Sequence, residues 1–271
     1  MKDNRFKKVL NEGRVPVGHM IMEFGTRGIA KMLEAAGVDF VVVDMEHTGF
    51  DAERIADLMA WFKATDLAPF VRVPQGLYHF IARTMDAGAL GVMVGNVETG
   101  EQARSIVDAV KYAPLGKRGV GLGTAHNDYE PPDPRAYFEY ANRNTTVICQ
   151  IESVTGLDNL DAIAATEGVD VLWVGHNDLA QSMRLTSFTH PDFVAALRKI
   201  VDTANHHGKL AAAQPGSMEQ AESWFETGFH VLSWKTDIAL YRAALKKELG
   251  ELRQLAGRKR ATTAGVPGRE P

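Results

Sequence analysis

The chain has 271 residues and a formal net charge of −4 at pH 7; 45% of its residues are hydrophobic and 24% are charged. This composition is typical of a globular protein, and the negative net charge gives no electrostatic basis for binding nucleic acid or an anionic membrane. The length suits a single large α/β domain.

The first residues and the cysteine content predict a cytoplasmic location. The segment 1–8 (MKDNRFKK) is polar, so we expect no signal peptide, and no apolar run approaches the roughly 20 residues that span a bilayer. Cys149 is the single cysteine, which excludes an intrachain disulfide and a cysteine zinc cluster. We therefore expect a soluble cytoplasmic protein.

Apolar β-type runs alternate with amphipathic helical patterns along the chain. The predicted strands are 15–22, 40–46, 69–74, 91–97, 147–152, 171–178, 210–214 and 231–234. The predicted helices between them are 28–36, 52–65, 77–87, 100–111, 157–167, 191–207 and 218–227. Eight strands with helical connections predict a (β/α)8 TIM barrel of the α/β class. A dinucleotide-binding sheet is disfavoured, because residues 25–28 do not match G-x-G-x-x-G.

One barrel domain is predicted over residues 1–256. The remaining residues, 257–271, contain Gly, Pro and charge without periodicity, and are predicted to be a disordered tail. The segment 116–134 is rich in Gly and Pro and is a candidate active-site loop. We expect His126, within this loop, to be either a lid residue or simply solvated.

The strongest functional signal follows the second predicted strand. The apolar run 40–43 leads into Asp44, Glu46 and His47, and the carboxyl ends of barrel strands form the catalytic face. A strand buried on both faces rarely tolerates charge, so these side chains indicate a site. His47 is interpreted as a general base with an adjustable pKa, although a packing role is the commoner fate of an isolated histidine.

Arg72 ends the third predicted strand. A buried arginine requires an anionic partner. Either it forms a structural pair with Asp44 or Glu46, or it binds a carboxylate or a developing enolate oxygen, and we favour the second interpretation. Glu46 precedes Arg72 by one βα unit, which places both at the same rim.

Glu152 and Asp178, like Glu46 and Arg72, are separated by one βα unit. They form a candidate metal site. Along the strand before Glu152 the side chains alternate, so Gln150 shares its face while Cys149 points to the helices. Two carboxylates at neighbouring strand ends suit Mg²⁺ or Mn²⁺. A helix cap or a salt bridge is the alternative, and capping is a serious competitor for Asp178.

Taken together, these residues resemble the HpcH/HpaI aldolases, which are metal-dependent class II pyruvate aldolases. That family includes 4-hydroxy-2-oxo-heptanedioate and 2-keto-3-deoxy-sugar-acid aldolases. The resemblance covers nearly the whole chain up to its last helix. The segments that carry it are 43–47 (VDMEH), 71–74 (VRVP), 86–89 (DAGA), 111–119 (KYAPLGKRG), 150–152 (QIE) and 170–179 (DVLWVGHNDL).

The resemblance implies a role for each matching residue. Glu152 and Asp178 would hold a divalent ion, with Mg²⁺ or Mn²⁺ favoured over Co²⁺ or Zn²⁺. His47 would be the acid/base group, oriented by Asp86 from this chain or from a neighbouring subunit. The residues implied in substrate binding are Arg72, which would contact the pyruvate oxygens, and Gln150, Asp44, Gly175 and Asn177.

The resemblance also implies an assembly and a reaction. The terminal helix would pack on a partner subunit, giving a dimer-based homo-oligomer or a hexamer. The substrates would be a 2-oxo acid and an aldehyde. The chain departs from the family pattern at two places near the expected position of the aldehyde acceptor. His176 follows Gly175 where the family has proline, and the loop 184–190 is short and lacks a glycine. His176 shares strand parity with Asp178 in the predicted strand. Because both departures lie near where an acceptor would sit, the resemblance does not fix the substrate preference.

The predicted function is reversible cleavage of a 4-hydroxy-2-oxo acid to pyruvate, or a close 2-oxo acid, and an aldehyde. A Schiff-base aldolase using Lys235 is one alternative, although Asp237 nearby would oppose the low amine pKa it needs. A metal-dependent decarboxylase of oxaloacetate-like acids is a second. A catalytically silent binding barrel is a third, and the cost of clustering acids without a ligand disfavours it.

Overall fold

Eight parallel strands close into a barrel in the computed structural model, which describes the backbone of residues 1–264 and the side chains of residues 1–259. Each strand pairs with the next along the chain, and the last pairs with the first. The strands are β1 (Val17–Ile21), β2 (Phe40–Asp44), β3 (Ala68–Val73), β4 (Gly91–Val94), β5 (Thr146–Ile151), β6 (Val171–Val174), β7 (Leu210–Ala213) and β8 (Val231–Thr236). The predicted (β/α)8 barrel is confirmed.

Helices connect the strands and surround the barrel. They are α1 (Arg5–Asn11), α2 (Ile29–Ala35), α3 (Ala52–Phe62), α4 (Tyr78–Ala87), α5 (Gly100–Val110), α6 (Pro134–Asn144), α7 (Val154–Asp158), α8 (Leu160–Ala164), α9 (His176–Ser182), α10 (Pro191–His206), α11 (Met218–Thr227) and α12 (Asp237–Ala264). The predicted helix 157–167 is replaced by α7 and α8, which meet at Asn159, a residue of low helix propensity. No helix within the described backbone is long and apolar enough to cross a membrane.

The strands are buried on both faces, which gives the molecule two hydrophobic cores. Inside the barrel, Phe40 and Phe70 pack together and are closed from the amino end by Phe6 of α1, whose ring lies 5.3 Å from each. The outer core fills the space between strands and helices. Ile148 belongs to the inner core and Cys149 to the outer one, so the predicted alternation along β5 is confirmed.

The sixth strand is shorter than predicted. β6 ends at Val174, and α9 begins at His176 after a turn at Gly175. Asp178 therefore lies in the first turn of a helix, where a carboxylate is favoured, and not at a strand end. The expectation that His176 and Asp178 share strand parity is wrong for this reason.

The last helix is long, and most of its described side chains are exposed. Its first turns pack on β1 and β8, and Tyr241 contacts Phe24 edge-on at 5.3 Å. Residues 257–264, predicted as the start of a disordered tail, continue α12, in line with the strong helix propensity of its arginine, lysine and alanine residues. Residues 265–271, the rest of that predicted tail, lie outside the described residues.

Candidate active site

A cavity of about 260 Å³ opens at the carboxyl ends of the strands and holds most of the predicted site. Six of the predicted residues line it: His47, Arg72, Gln150, Gly175, Asn177 and Asp178. Asp44 and Glu152 reach it through contacts with Arg72 and Gln150. Asp86 lies elsewhere in the chain.

Arg72 is held between two carboxylates. It pairs with Asp44 in the β2–β3 register, and its Nε and Nη2 donate to the two carboxylate oxygens of Asp44 at 2.7 Å each. Its Nη1 lies 3.2 Å from Glu46 Oε2. Burial alone would lower the pKa of Arg72, but hydrogen bonds and charge from Asp44, with the charges of Glu46 and Glu152, raise it. The guanidinium is therefore a fixed positive charge at the cavity wall.

Glu152 is a buried carboxylate among other acids. Its Oε1 accepts the backbone N–H of Asn96 at 2.5 Å, and its Oε2 accepts from the amide of Gln150. Burial raises the pKa of Glu152, and the negative charges of Glu46 and Asp178 raise it further, against the two hydrogen bonds. Acidic groups gathered in a low-dielectric cavity favour a cation among them.

Two glycines leave space around this carboxylate. A Cβ on Gly175 would overlap the carboxylate of Glu152 and the amide of Gln150. A Cβ on Gly95 would lie 3.0 Å from Glu152 Oε1 and 3.2 Å from Glu46 Oε1. The buried Oε1 of Gln150 has no hydrogen-bond donor among the described residues. Hard oxygen atoms, one of them unpartnered, in a space kept open by glycine fit a small divalent cation.

Within the described residues, no set of three or more His, Cys, Asp or Glu side chains is arranged to hold a metal ion. If Glu152 and Asp178 held an ion, the remaining coordination positions would fall to water and substrate, as in oxygen-rich magnesium sites.

His47 lies at the mouth of the cavity and its side chain is 60% exposed. The turn that carries it is fixed by Asp44, whose carboxylate accepts the N–H of Glu46 at 3.0 Å and whose carbonyl accepts the hydroxyl of Thr48 at 2.5 Å. Its Nε2 lies 3.8 Å from Glu46 Oε2. The imidazole can therefore exchange protons with both solvent and a molecule in the cavity.

Asp86 is placed far from His47 within the chain. It is the penultimate residue of α4, which starts at the carboxyl end of β3 and runs back towards the amino end of β4. Its partners are Arg118, with Nη2 at 2.5 Å, and His126, with Nδ1 at 3.9 Å. Its side chain is 41% exposed. Contact between this carboxylate and a His47 imidazole would require a second copy of the chain.

Several site residues were not assigned from the sequence. Glu46 was considered only as a structural partner of Arg72, and that contact is observed, but it was not assigned to the site. Asn96 donates to Glu152 from a left-handed backbone conformation with φ of 51°. The Gly95–Asn96 dipeptide after an apolar strand is a turn signal that could have identified this position.

Lys235 and Asp237 make separate contacts. The Nζ of Lys235 lies over the Trp234 ring, 4.8 Å from its centre, while the next residue, Thr236, lines the cavity. The carboxylate of Asp237 accepts the backbone N–H groups of residues 22–24 at 2.8–3.1 Å, which ties β8 to the segment after β1. Asp237 is therefore a structural residue.

Comparison with known proteins identifies the family of the chain. The family model for HpcH/HpaI aldolase/citrate lyase matches residues 25–244. The chain belongs to the HpcH/HpaI aldolase/citrate lyase family. The predicted family membership is confirmed, and with it the expectation of an aldolase-type carbon–carbon lyase. The family is generally dependent on divalent metal ions.

Relatives of this family resemble the chain over nearly its full length. The 5-keto-4-deoxy-D-glucarate aldolase of Shigella boydii serotype 18 is 34% identical over 245 residues, 90% of this chain and 94% of the relative. A family protein from Burkholderia cenocepacia J2315 is 30% identical with a TM-score of 0.84, covering 92% of this chain and 99% of that structure. The HpcH/HpaI aldolase of Desulfitobacterium hafniense DCB-2 is 28% identical with a TM-score of 0.81, covering 98% of both chains.

Proposed function

We propose that this member of the family cleaves 4-hydroxy-2-oxo acids reversibly to pyruvate, or a close 2-oxo acid, and an aldehyde. The observation that carries the proposal is the buried Glu152 carboxylate, which contacts the cavity-lining Gln150 and lies within electrostatic reach of Asp178 and of the Arg72 guanidinium, both of which line the cavity. The cavity of about 260 Å³ suits a small 2-oxo acid. Arg72 supplies a positive charge for the carboxylate of the acid, and Glu152 and Asp178 supply negative charge for a cation that would polarise its ketone.

Glu152 and Asp178 would hold the divalent ion, with Mg²⁺ or Mn²⁺ favoured by the all-oxygen donor set. When bound, such an ion supplies Lewis-acid polarisation of the 2-oxo acid. Gln150 fixes the rotamer of Glu152 through its amide and leaves its own Oε1 facing the site. Gly175 keeps the adjoining space open, and Asn177 lines the cavity beside Asp178.

Arg72 would stabilise the negative charge that develops on the substrate. During cleavage the C3–C4 bond breaks, its electron pair forms the enolate of pyruvate, and the C4 hydroxyl loses its proton to become the aldehyde. Because Asp44 accepts from Nε and Nη2 along one edge of the guanidinium, the position of Arg72 is set before substrate binds, and that preorganisation favours the transition state. His47, exposed at the cavity mouth, would take the hydroxyl proton directly or through water.

A homo-oligomer is part of this proposal. Asp86 is exposed and remote from His47 within one chain, so it could orient that imidazole only across a subunit contact. α12 carries exposed apolar side chains at helical spacing: Ile238, Tyr241, Leu245, Leu249 and Leu252. Such a stripe favours packing on a second copy, and a dimer would bury it.

The test is pyruvate release from a panel of 4-hydroxy-2-oxo acids. Activity should disappear with EDTA, return with Mg²⁺ or Mn²⁺, and be absent in Glu152→Ala. Release that survives EDTA and is trapped by borohydride on Lys235 would instead indicate a Schiff base. No release with any metal would contradict the proposed reaction.

A further inference from the structure

Arg118 is a completely buried arginine that the proposed reaction does not use. It lies in the segment between α5 and α6, and its side chain is 0% exposed. Its Nη2 donates to Asp86 Oδ1 at 2.5 Å, while its Nε and Nη1 have no hydrogen-bond acceptor among the described residues. The Asp86 carboxylate is therefore the group that balances this buried positive charge.

The position of Arg118 is set by the turn that follows α5. Its backbone N–H donates to the carbonyl oxygen of Lys111 at 2.9 Å, and the N–H of Gly116 donates to that of Tyr112 at 3.0 Å. The guanidinium lies over the Tyr112 ring, 4.8 Å from its centre. Tyr112 is itself buried and stacks on Phe138 of α6. Both the backbone and the side chain of Arg118 are thus held in place.

This contact fixes one oxygen of Asp86 and leaves the other accessible. The Asp86 side chain is 41% exposed, and its Oδ2 accepts no hydrogen bond from the described residues. If the carboxylate turned away from Arg118, a buried positive charge would be left without its partner, which is strongly unfavourable. The accessible oxygen is therefore presented at the surface in a defined position.

A carboxylate with this support is suited to orienting an imidazole. His47 is exposed at the cavity mouth, and Glu46 Oε2 lies 3.8 Å from its Nε2, which is longer than a hydrogen bond. A histidine that transfers protons works best when a hydrogen bond to its second ring nitrogen fixes its orientation. The carboxylate that makes such a bond must itself be held, as in other sites where outer residues support the reacting ones.

We propose that Arg118 is a positioning residue, which fixes the Asp86 carboxylate for the His47 imidazole of a second copy of the chain. This inference rests on the proposed function and on the homo-oligomer that belongs to it. Arg118 touches neither the substrate nor the metal site, so its effect on the reaction passes through Asp86.

Single substitutions give the first test, in the metal-loaded, assembled protein. Arg118→Met removes the charge but keeps an apolar chain over Tyr112. We expect kcat for pyruvate release to fall about tenfold, with KM and the affinity for Mn²⁺ unchanged, as for loss of an outer residue that orients another. Arg118→Lys, which can still donate to Asp86, should recover part of the loss. Lys117→Met, at the exposed neighbouring residue, should match the wild type.

A double-mutant cycle shows whether Arg118 acts through Asp86. Asp86→Asn keeps an acceptor for the guanidinium but removes the charge that orients the imidazole, and should lower kcat about 100-fold, the low end of general acid–base catalysis. In the double variant, Arg118→Met should add little to that loss, because residues that act as a unit are not additive. Losses in kcat that add in full would overturn the inference.

Mixed oligomers separate positioning across subunits from support within one chain. His47→Gln and Arg118→Met chains, co-expressed with different tags and purified as hybrids, each carry one defect. Where the intact Arg118–Asp86 pair of one chain meets the intact His47 of the other, kcat should exceed the average of the two parents. If Arg118 instead supported the active site of its own chain, no such site would be intact. Hybrids without this gain would overturn the inference.

Two further results distinguish this inference from the proposed function. Light scattering after size exclusion checks assembly, and Arg118→Gln replaces Arg118→Met if the latter does not assemble. If Asp86→Asn is impaired and the assembled Arg118 variants are fully active, the inference alone is wrong. If Asp86→Asn is fully active, the role of Asp86 and the inference are both wrong while the aldolase reaction stands. A wild type that releases no pyruvate with any metal would contradict the proposed function as well.

Discussion

Arg72 shows how one residue can satisfy two interpretations of the same sequence. It forms the structural pair with Asp44 and Glu46, and it also lines the cavity with a guanidinium that the pair holds still. Asp44 is completely buried, so the pair has little freedom to rearrange. Because the guanidinium is already in place, it does not have to reorient when negative charge develops on a substrate.

Arg72→Lys tests whether the fork geometry matters beyond the charge. Lysine keeps the positive charge but cannot donate to both oxygens of Asp44 while facing Glu46. We expect kcat/KM for pyruvate release to fall about 100-fold, as for loss of a preorganised donor. Arg198→Lys on the exposed face of α10 is the matched control and should match the wild type. Full activity in Arg72→Lys would remove the guanidinium from the proposed chemistry.

The residues predicted best are those on strands. The alternation of side chains along β5 and the spacing of one βα unit between Glu46 and Arg72 follow from strand geometry. The faces and the rim on which these residues lie could therefore be predicted from their positions in the sequence. Asn96 and Gly95 were missed because their importance depends on a contact with a residue on another strand. Asp86 was selected through family resemblance, and its orienting role stays a prediction because the chain alone does not bring it to His47.

At the scale of single elements, the junction of β6 and α9 determines the site. The strand ends four residues earlier than predicted, and the turn at Gly175 places Asp178 in the first helical turn. Apolar runs predict where a buried strand begins more reliably than where it ends. When a helix starts within the same run, its first residues are too few to show a helical periodicity that would mark the boundary. Asp178 stays a predicted metal ligand, and a helix presents it rather than a strand end.

Gly175→Ala tests this junction. The added Cβ would overlap Glu152 and Gln150, so the carboxylate must move or the strand end must shift. We expect activity to fall at least about tenfold and the free energy of unfolding to fall by about 1–3 kcal/mol. Gly121→Ala makes the same change where no atom lies within 4 Å of the new Cβ. Equal activity and stability in both variants, from assay and urea unfolding, would contradict the packing argument.

The segment 116–134 contains a buried polar cluster that the sequence did not predict. His126 was expected to be a lid residue or solvated, but it is 1% exposed and packs beside Tyr137 at 5.6 Å. Its Nδ1 faces the hydroxyl of Thr124 at 2.8 Å, and Asp86 and Arg118 are its charged neighbours. Burial of a histidine in a Gly-rich loop leaves no periodic signal.

This histidine predicts a pH dependence of stability. Burial, followed by the charge of Arg118, lowers the pKa of His126 to about 4. The unfolded chain, with a pKa of about 6.5, binds a proton that the folded chain does not as the pH falls from about 6.5 to about 4. The free energy of unfolding should therefore decrease across this window, and the histidine contribution is fully present above it.

Urea unfolding between pH 7 and pH 4.5 measures the effect. His126→Gln should lose less stability than the wild type over this range, by on the order of 1–2 kcal/mol. His206→Gln, at an exposed site near the end of α10, should follow the wild type. Parallel pH profiles for all three proteins would show that His126 titrates normally in the folded state.

At the scale of the whole molecule, the barrel was predictable because each strand is an independent apolar run and the closed order follows from chain order. The contacts that close the barrel were not predictable from the sequence. Phe6 of α1 fills the amino end against Phe40 and Phe70, and Asp237 joins β8 to the segment after β1. Both are contacts between distant parts of the chain, and neither has a local pattern.

α12 extends the molecule beyond the barrel and argues for assembly. Ile238, Tyr241, Leu245, Leu249 and Leu252 recur every three or four residues and are 40–59% exposed. A stripe of this length on a monomer would expose apolar surface that soluble proteins normally cover. The proposed orienting role of Asp86 would also need a second copy, because the carboxylate near His47 within the described chain is that of Glu46, 3.8 Å from Nε2.

The double substitution Leu245→Glu/Leu249→Glu tests this face directly. Two carboxylates in the stripe should prevent helix packing, so light scattering after size exclusion should show a smaller assembly than for the wild type. Ala243→Glu/Gln254→Glu adds the same charge to the opposite side of α12 and should leave the assembly intact. If Asp86 acts across the interface, kcat should fall with the loss of assembly while metal affinity is retained, because Glu152 and Asp178 belong to one chain. A monomeric wild type of full activity would contradict both the assembly and the role of Asp86.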